Sequence, residues 1–229
     1  LANVAIEQTE EAFDSILSST VNILEVVRDF DHECPVIYTS SSMVYGDFQT
    51  PSVTETAPKD PKDIYGSIKL AGEIISTGYH KRYGIDVRTV RPTAVYGPGD
   101  ANQRVLYKFI TRALRGEALR IDGDGSMALD FTYVDDTANG IFRVATNDAA
   151  KGETFNIARG KSETLSAAVS IISETIGDVE VEYGDVPDHI PTRGTLDVTK
   201  ARELIGFDPQ FDLGRALPAY IEHLRHNPF

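Results

Sequence analysis

A run of serines and a Tyr-Lys pair are the groups in this sequence best suited to chemistry. Serines occupy positions 40–42, one residue beyond the apolar run at 35–38, and Tyr65 precedes Lys69 by four positions. Residues four apart on a helix share a face, so the phenol and the ammonium can reach one ligand. A free tyrosine has a pKa of about 10, which a neighbouring ammonium lowers. The pair therefore predicts a phenolate that takes a proton from an alcohol hydroxyl while Ser41 steadies the same oxygen.

This proton transfer implies a second partner that no side chain provides. Removing the hydroxyl proton oxidises the alcohol only if a hydride also leaves the neighbouring carbon, and a hydride needs a cofactor as its acceptor. Taken alone, Tyr and Lys at this spacing occur by chance on amphipathic helices, and serine runs often form turns or caps. The order of the two motifs, and the elements around them, favour the chemical interpretation.

The elements around these groups alternate between helices and strands. Apolar residues recur at helical spacing over residues 10–30 and again over 66–83, where Gly84 is placed to end the helix. Buried strands are predicted at 36–39 and at 86–92. Alternation with short connections predicts an α/β fold in which helices wrap a parallel sheet. Ligands of such sheets bind beyond the carboxyl ends of the strands, and the serines lie at such an end.

Beyond Pro92 the pattern changes, and the turn at residues 96–100 predicts a boundary between two lobes. We assign residues 1–96 to the first domain and 97–229 to a smaller α/β lobe, with part of 129–158 packing back on the first domain. The features predicted for the second lobe are a helix at 104–115, a hairpin turn at 122–126, helix caps at Asp135 and Asp136, a helix at 166–176 ended by Gly177, and a last helix interrupted or started late by Pro218.

Composition excludes several classes of protein. The 229 residues carry a formal net charge of −13, which would repel nucleic-acid phosphates and anionic lipid. Any phosphate-bearing ligand must therefore meet a local cationic pocket. No apolar run approaches the roughly 20 residues that cross a bilayer, and no export signal is visible, so a cytoplasmic location is expected. The single cysteine, Cys34, rules out an internal disulfide or a cysteine-type metal cluster, and we expect it to be buried beside a strand.

Six segments together resemble the extended short-chain dehydrogenase/reductase family, in its nucleotide-sugar epimerase and dehydratase branch, typified by UDP-glucose 4-epimerase. They are YTSSSMVYGD, YGSIKLAGE, VRTVRPTAVYGPGD, GDGSMALDFTYVDD, FNIARG and LDVTKARELIGFDP, in the family's order across nearly the whole chain. The resemblance implies that residues 1–96 are the remainder of a Rossmann-type dinucleotide-binding domain and that 97–229 form a substrate-binding lobe. It also implies that Ser41 is the active-site hydroxyl, that Tyr65 is the base, and that Lys69 holds the nicotinamide ribose and tunes Tyr65.

The resemblance implies partners as well. The cofactor is expected to be NAD, held by Leu1, Ala2, Tyr65, Lys69 and Thr93, and no metal is expected. The nucleotide-sugar substrate is expected to contact Ser42, Arg104 and Arg193, although for both arginines the alternative is a solvated surface position. A homodimer is expected through a four-helix bundle formed by residues 10–30 and 66–83 of each copy. Neither nucleic acid nor a membrane is an expected partner.

The chain departs from the family pattern at its beginning and at three single positions. The family opens with a strand and a glycine-rich turn that holds the dinucleotide pyrophosphate at a helix N-terminus, and this sequence has neither. We therefore expect a truncated chain that lacks about 70 residues upstream of Leu1. Leu129 replaces an arginine that binds phosphate, Ala94 replaces an asparagine that binds substrate, and Ile16 replaces an asparagine of the first helix.

Epimerisation is the leading interpretation of this pattern. Dehydratases and decarboxylases of the branch carry acidic residues just after the active-site hydroxyl, where this chain has Ser42 and Met43, and neither can act as a base near neutral pH. We therefore expect an NAD-dependent nucleotide-sugar epimerase that acts at C4 through a transient 4-keto sugar. One alternative is an NAD(P)-dependent dehydrogenase, reductase or dehydratase on a related sugar or a smaller hydroxy compound, favoured by Leu129 and Ala94. The other is a non-catalytic truncated homologue.

Overall fold

A computed structural model of the chain describes residues 8–30, 34–187 and 190–227. Within them the α-helices are α1 (Thr9–Phe13), α2 (Ser19–Asp29), α3 (Ile64–Tyr83), α4 (Val105–Leu114), α5 (Val134–Thr146), α6 (Leu165–Ile176), α7 (Thr199–Ile205) and α8 (Leu213–His226). The strands are β1 (Val36–Thr39), β2 (Ser52–Val53), β3 (Val87–Pro92), β4 (Val95–Tyr96), β5 (Leu119–Asp122), β6 (Ala128–Leu129), β7 (Thr132–Tyr133), β8 (Thr154–Ile157), β9 (Glu163–Thr164), β10 (Val181–Gly184) and β11 (Thr195–Leu196). A π-helical turn at Asp14–Ser18 joins α1 to α2.

The largest sheet in the described part of the chain has three parallel strands in the order β1-β3-β8. β1 pairs with β3 from Val36 opposite Val87 to Thr39 opposite Val90, and β8 pairs with the other edge of β3. Helix α3 packs against β1 and β3, and helix α5 packs against all three strands. This parallel, helix-covered sheet confirms the predicted α/β fold. Because parallel strands end at one edge, the residues that follow β1 and β3 lie close together.

Helix α3 carries the Tyr-Lys pair, and its ends follow from the local sequence. Asp63 is the N-cap, because its Oδ1 accepts a hydrogen bond from the Gly66 backbone N–H at 2.6 Å. Gly84 ends the helix with φ of 73°, a left-handed conformation that glycine adopts without strain. The apolar period alone predicts a start at about residue 66. The cap moves the start to Ile64 and so brings Tyr65 into the first turn.

Two apolar cores support the carboxyl edge of the sheet. One surrounds the main sheet and includes Val90, Phe155, Leu196 and Phe207, none of which has exposed surface. The other packs α4, α6 and α8 against β5, and its buried residues all come from Tyr96 onward. Segments after residue 96 contribute to both cores, because α5, β8 and α7 pack on or beside the main sheet. The domain boundary between residues 96 and 97 stays a prediction. No helix of the described residues has the length and apolar character needed to cross a membrane.

The connection at residues 122–126 does not form the predicted hairpin turn. β5 pairs in parallel with β10, while β6 pairs antiparallel with β9. The connection therefore leads from one small sheet to another. Its Gly125 carbonyl accepts hydrogen bonds from the backbone N–H and the hydroxyl of Ser166, both at 3.1 Å, which joins it to the start of α6. The glycine-rich sequence indicated a turn but not which strands it connects.

Three other local predictions are wrong. Asp135 and Asp136 do not cap α5, which begins without a side-chain cap. The buried Asp136 carboxylate instead accepts the backbone N–H groups of residues 210 and 211 at 2.8 and 2.9 Å, which ties α5 to the loop before α8. Cys34 is exposed, since it precedes the first residue of β1. The last helix is not delayed by Pro218: Asp212 caps it, and it runs through the proline.

Gly140 in α5 tests how tightly the helix packs on the sheet. An alanine methyl there would collide with the Ile157 side chain and approach Phe207 to 3.1 Å. Alanine gains about 1 kcal/mol in helix propensity, but overpacking costs about 1–3 kcal/mol. We therefore expect Gly140→Ala to lower the free energy of unfolding by about 1 kcal/mol in urea titrations. Gly214→Ala in α8 is the control, because its methyl meets nothing closer than 3.6 Å and should raise stability. Equal stabilisation at both positions would contradict the packing.

Candidate active site

Strand β1 delivers the serine run to the carboxyl edge of the sheet. The Ser40 backbone N–H donates to the Val90 carbonyl at 2.8 Å, which continues the pairing with β3 for one more residue. Ser41 then caps a 3-10 turn, Ser42–Tyr45, by accepting a hydrogen bond from the Met43 N–H at 3.2 Å. All three serines are buried. The cap uses an acceptor position of the Ser41 oxygen and leaves its proton available to another group.

Tyr65 and Lys69 lie on α3 beside this strand end. The Lys69 ammonium donates to the Thr39 carbonyl at 2.8 Å, and its nitrogen lies 5.8 Å from the centre of the Tyr65 ring. The Ser41 hydroxyl lies close enough to the Tyr65 phenol to lower its pKa. Both residues of the pair keep part of their surface exposed. The structure thus brings Ser41, Tyr65 and Lys69 together, as the sequence predicts, although it does not test their roles.

The electrostatics of the phenol differ from the sequence prediction. Burial raises the pKa of Tyr65, and this effect outweighs the interaction with Ser41 and the positive charge of Arg104, which both act to lower it. Asp63 raises the pKa further. The predicted lowering by Lys69 is wrong for this state, because the ammonium is directed to the Thr39 carbonyl. Burial also lowers the pKa of Lys69, since its charged form has lost part of its hydration.

Arg193 forms a cationic centre next to the serines. Its Nη2 donates to Ser42 Oγ at 2.5 Å and to Thr93 Oγ1 at 3.0 Å, and its Nη1 lies 2.6 Å from Met43 Sδ. Burial lowers the pKa of Arg193 to about 10, against the opposing influence of Asp63 and Asp130. Within the described residues, no carboxylate lies within ion-pair distance of this guanidinium. Arg193 is half-buried, and a partly desolvated cation that has only neutral direct partners is a ready binding site for an anion.

Arg104 is held in a different way. Its Nη1 donates to Asp100 Oδ1 at 2.5 Å, and its backbone N–H donates to Asp100 Oδ2 at 3.0 Å at the start of α4. The Asp100 side chain is almost fully buried, whereas that of Arg104 is 45% exposed. Much of the positive charge is therefore already neutralised. Of the two arginines predicted to bind substrate, Arg193 is the one that lacks a charged partner among the described residues.

A cleft of about 370 Å³ opens beside these groups. Arg104, Arg193 and Asp63 form part of its wall, and most of the remaining wall is apolar, with Leu106, Phe109, Met127, Phe131 and Leu165 among the lining residues. Two departures from the family pattern, Ala94 and Leu129, line the same cleft. Ala94 has φ of 39°, a left-handed conformation that costs a residue with a Cβ about 1–2 kcal/mol. Both departures therefore place an apolar side chain in the wall of the same cleft.

The other predicted residues fall in different surroundings. Thr93 is buried and bound to Arg193, so it belongs to the cationic centre. Ile16 packs in an apolar cluster with Ala12, Leu17 and Ile68, next to Tyr65. Leu1 and Ala2 lie outside the described residues, so their expected contact with the cofactor is not described. Among the described residues, no cluster of His, Cys, Asp or Glu could hold a metal ion.

Sequence reasoning missed a buried polar network below the serines. Glu73 on α3 and Arg91 on β3 form an ion pair at 2.6 Å, with both side chains nearly inaccessible to solvent. Ser40 Oγ donates to Glu73 Oε1 at 2.5 Å. One signal was available in the sequence: Arg91 lies in a strand that is otherwise apolar or β-branched near its end, and Glu73 follows Lys69 by four residues on the same helix face.

Comparison with known proteins shows the family to which the chain belongs. The family model described as "NAD dependent epimerase/dehydratase family" matches residues 2–158. The chain is 30% identical over 217 residues to a UDP-glucuronate 4-epimerase of Thermodesulfobacterium geofontis, covering 93% of this chain and 66% of the relative. The chain spans 64–66% of the length of the first three curated relatives that it matches.

Solved structures share the fold. UDP-glucuronic acid 4-epimerase from Bacillus cereus, crystallised with UDP-glucuronic acid and NAD, superposes with a TM-score of 0.86 and 27% identity, over 90% of this chain and 66% of that chain. The dTDP-glucose 4,6-dehydratase DesIV from Streptomyces venezuelae, also crystallised with NAD, superposes with a TM-score of 0.92 and 25% identity, over 99% of this chain and 70% of that chain. The family includes NAD-dependent epimerases and dehydratases. The chain belongs to the NAD-dependent epimerase/dehydratase family.

Proposed function

We propose that this chain is the catalytic part of an NAD-dependent nucleotide-sugar epimerase that inverts C4 through a transient 4-keto sugar. The observation that carries the proposal is the group of Ser41, Tyr65 and Lys69 at the carboxyl edge of the sheet, beside a cleft that contains the cation of Arg193. The relatives named as 4-epimerases support the reaction class. Other relatives are named dehydratases or decarboxylases, so the residues after Ser41 decide between these reactions.

Tyr65 and Lys69 fit the nicotinamide end of NAD. An ammonium has three protons to donate, and within the described residues the Lys69 ammonium makes one hydrogen bond, to the Thr39 carbonyl. Its remaining protons can bind the hydroxyls of a ribose. Among the described residues, this is the end of the cofactor for which we propose contacts. Bound NAD would supply the hydride acceptor and donor that oxidation and reduction of the sugar carbon require.

The proton chemistry belongs to Tyr65 and Ser41. In its phenolate form, Tyr65 accepts the proton of the sugar C4 hydroxyl while Ser41 donates a hydrogen bond to the same sugar oxygen. The phenol returns that proton once the keto sugar has turned its other face to the cofactor. No carboxylate follows Ser41, and Ser42 and Met43 are both in contact with Arg193. A second proton transfer of the dehydratase type therefore lacks a base in this place, which favours epimerisation.

The anionic part of the substrate is assigned to Arg193. Its guanidinium lies in the wall of the cleft with hydroxyl groups as its direct oxygen partners, so a phosphate would provide the negative charge that it lacks. A chain with a net charge of −13 repels phosphate in general, so a phosphate ligand needs a local positive charge, and Arg193 provides one. Ser42 and Arg104, which border the same centre, are proposed as weaker contacts.

A dehydrogenase or reductase acting on a smaller hydroxy compound is the second candidate. Ala94 and Leu129 favour it, because both line the cleft and neither can bind a phosphate or a sugar hydroxyl through its side chain. The two reactions differ in the fate of the cofactor. Epimerisation regenerates NAD in every cycle, whereas a dehydrogenase accumulates NADH in proportion to product.

A homodimer through α1–α2 and α3 is also proposed. Ile23 and Val26 on α2 are 55% and 51% exposed, and Ile74 on α3 is 65% exposed. Leu24 and Val27 of α2 are buried against the same protein, so this helix is apolar on two sides. Burying an exposed aliphatic side chain gains about 1.5–3 kcal/mol, and a second copy provides the surface to do so.

Replacing the proposed base tests the reaction. We expect Tyr65→Phe to lower kcat of the intact enzyme by about 100-fold to 10,000-fold, because the phenol proton carrier is lost. NMR of the C4 configuration, over a panel of nucleotide sugars, measures turnover, and absorbance of NADH distinguishes epimerase from dehydrogenase. Tyr183→Phe, an exposed tyrosine on β10, is the control. Full activity of a folded Tyr65→Phe variant would reject the proposal, and failure of the wild type to bind NAD would favour the non-catalytic alternative.

Replacing Arg193 tests the anion site. We expect UDP and pyrophosphate to raise the melting temperature of the wild type, and Arg193→Met to abolish this shift while leaving the ligand-free free energy of unfolding within about 1 kcal/mol. Arg120→Met is the matched control, because Arg120 lines the same cleft but is 71% exposed and only 3.7 Å from Asp122. An unchanged ligand response in Arg193→Met would show that the anion binds elsewhere.

Charge on the exposed face of α2 tests the dimer. The double substitution Ile23→Asp and Val26→Asp should convert the intact protein to monomers in light scattering, because two carboxylates would be buried at the interface without partners. Phe142→Asp is the control, since Phe142 on α5 is 64% exposed but lies on another helix. A dimer that survives the double substitution, or one that dissociates only with Phe142→Asp, would move the interface away from α2.

A further inference from the structure

The buried ion pair of Glu73 and Arg91 joins helix α3, which carries Tyr65 and Lys69, to strand β3. Arg91 Nε donates to Glu73 Oε1 at 2.8 Å, and Arg91 Nη2 donates to Glu73 Oε2 at 2.6 Å, so the pair is bidentate. Arg91 Nη1 also donates to the Tyr45 hydroxyl at 2.8 Å and to the Glu55 carbonyl at 3.0 Å. This geometry fixes the guanidinium within the core. A carboxylate held in two places by one rigid fork is itself fixed in direction.

The same carboxylate holds the residue before the proposed catalytic serine. Ser40 Oγ donates to Glu73 Oε1 at 2.5 Å, and Ser40 retains 2% of its surface exposed. Three successive residues at the end of β1 therefore contact α3. The Thr39 carbonyl accepts from Lys69, the Ser40 hydroxyl donates to Glu73, and the Ser41 hydroxyl interacts with Tyr65. The central contact is the one of the three in which both residues are buried.

We propose that Glu73 is a positioning residue of the active site, which acts through the Ser40 hydroxyl to hold Ser41 at the phenol of Tyr65. This inference rests on the proposed function. Arg91 fixes the carboxylate, the carboxylate fixes Ser40, and the peptide link to Ser41 leaves the next side chain little freedom. The proposed reaction needs Ser41 to be held in place, because an error of about 1 Å in the position of a reacting group can cost about 100-fold in rate.

Ser40→Ala is the decisive variant. It removes one hydroxyl and leaves the ion pair intact, since Arg91 continues to satisfy Glu73 Oε1. We expect the folded variant to lose about tenfold or more in kcat, with KM for the sugar changed less than about twofold. Glu73→Gln leaves Arg91 buried without an anion and is expected to unfold the protein, so the test does not depend on it.

Titration of the phenol gives a readout that needs no cofactor. Ring-labelled tyrosine NMR, with the Tyr65 signal assigned by its loss in Tyr65→Phe, follows the ionisation of this residue directly. The groups that face the phenol are Ser41 and Arg104, which lower its pKa, Asp63, which raises it, and Lys69 and Tyr38 beside its ring. If Ser40→Ala releases Ser41, one lowering influence is lost, so Tyr65 should ionise at higher pH than in the wild type.

Ser76→Ala is the matched control. Ser76 is a fully buried serine on α3, one turn beyond Glu73, and its hydroxyl has no hydrogen-bond partner in the described part of the chain. This variant should keep wild-type kcat and the wild-type Tyr65 titration. The proposal is overturned if Ser40→Ala matches Ser76→Ala in both measurements, or if it lowers stability alone. Activity in Tyr65→Phe would instead reject the proposed function, while the titration of Tyr65 in Ser40→Ala would still report on Glu73.

Discussion

A buried polar group must find a hydrogen-bond partner, and at the end of β1 this constraint determines the site. Ser40 is nearly inaccessible to solvent, so its hydroxyl needs an acceptor inside the protein, and Glu73 is that acceptor. Glu73 is buried as well, so its charge needs Arg91. The first contact connects the end of β1 to α3, and the second connects β3 to α3. The result is that α3 cannot slide along the sheet without breaking a bidentate ion pair, and Tyr65 and Lys69 move only as that helix moves.

Arg193, in contrast to Arg91, has no charged partner among the described residues. Glu73 and Arg91 satisfy each other, whereas Arg193 is surrounded by the hydroxyls of Ser42 and Thr93 and a methionine sulfur. The lowered pKa of Arg193, to about 10, measures how much its charge is disfavoured in these surroundings. Proteins keep such groups where a ligand completes them, and they lose stability in the ligand-free state as a result. The formal net charge of −13 makes this contrast sharper, because an anion that the chain as a whole repels needs a local cation such as Arg193.

Sequence alone predicted the parts of the site that depend on local spacing. The separation of Tyr65 from Lys69 and the position of the serines after an apolar strand follow from the periods of helix and sheet, and the structure has them. The direction of the Tyr65 pKa shift could not be predicted, because it depends on burial and on whether the Lys69 ammonium is directed to the phenol or to the Thr39 carbonyl. The same applies to the connection at 122–126, where a turn motif does not say which strands pair.

The residues that replace the family's polar groups have a consequence for the proposed reaction. An epimerase must present both faces of the keto sugar to one cofactor, so the sugar has to turn while its anionic part stays bound. Directional hydrogen bonds from the wall would oppose that rotation, whereas apolar contacts are non-directional and change little with orientation. Leu129 and Ala94 are apolar parts of the cleft wall, and Arg193 is its proposed anchor. The same two residues that favour a smaller substrate are therefore also compatible with a sugar that turns, so they do not decide between the two candidate reactions. One ionic contact to the phosphate, combined with non-directional apolar contacts to the sugar, would let the bound sugar turn without dissociating.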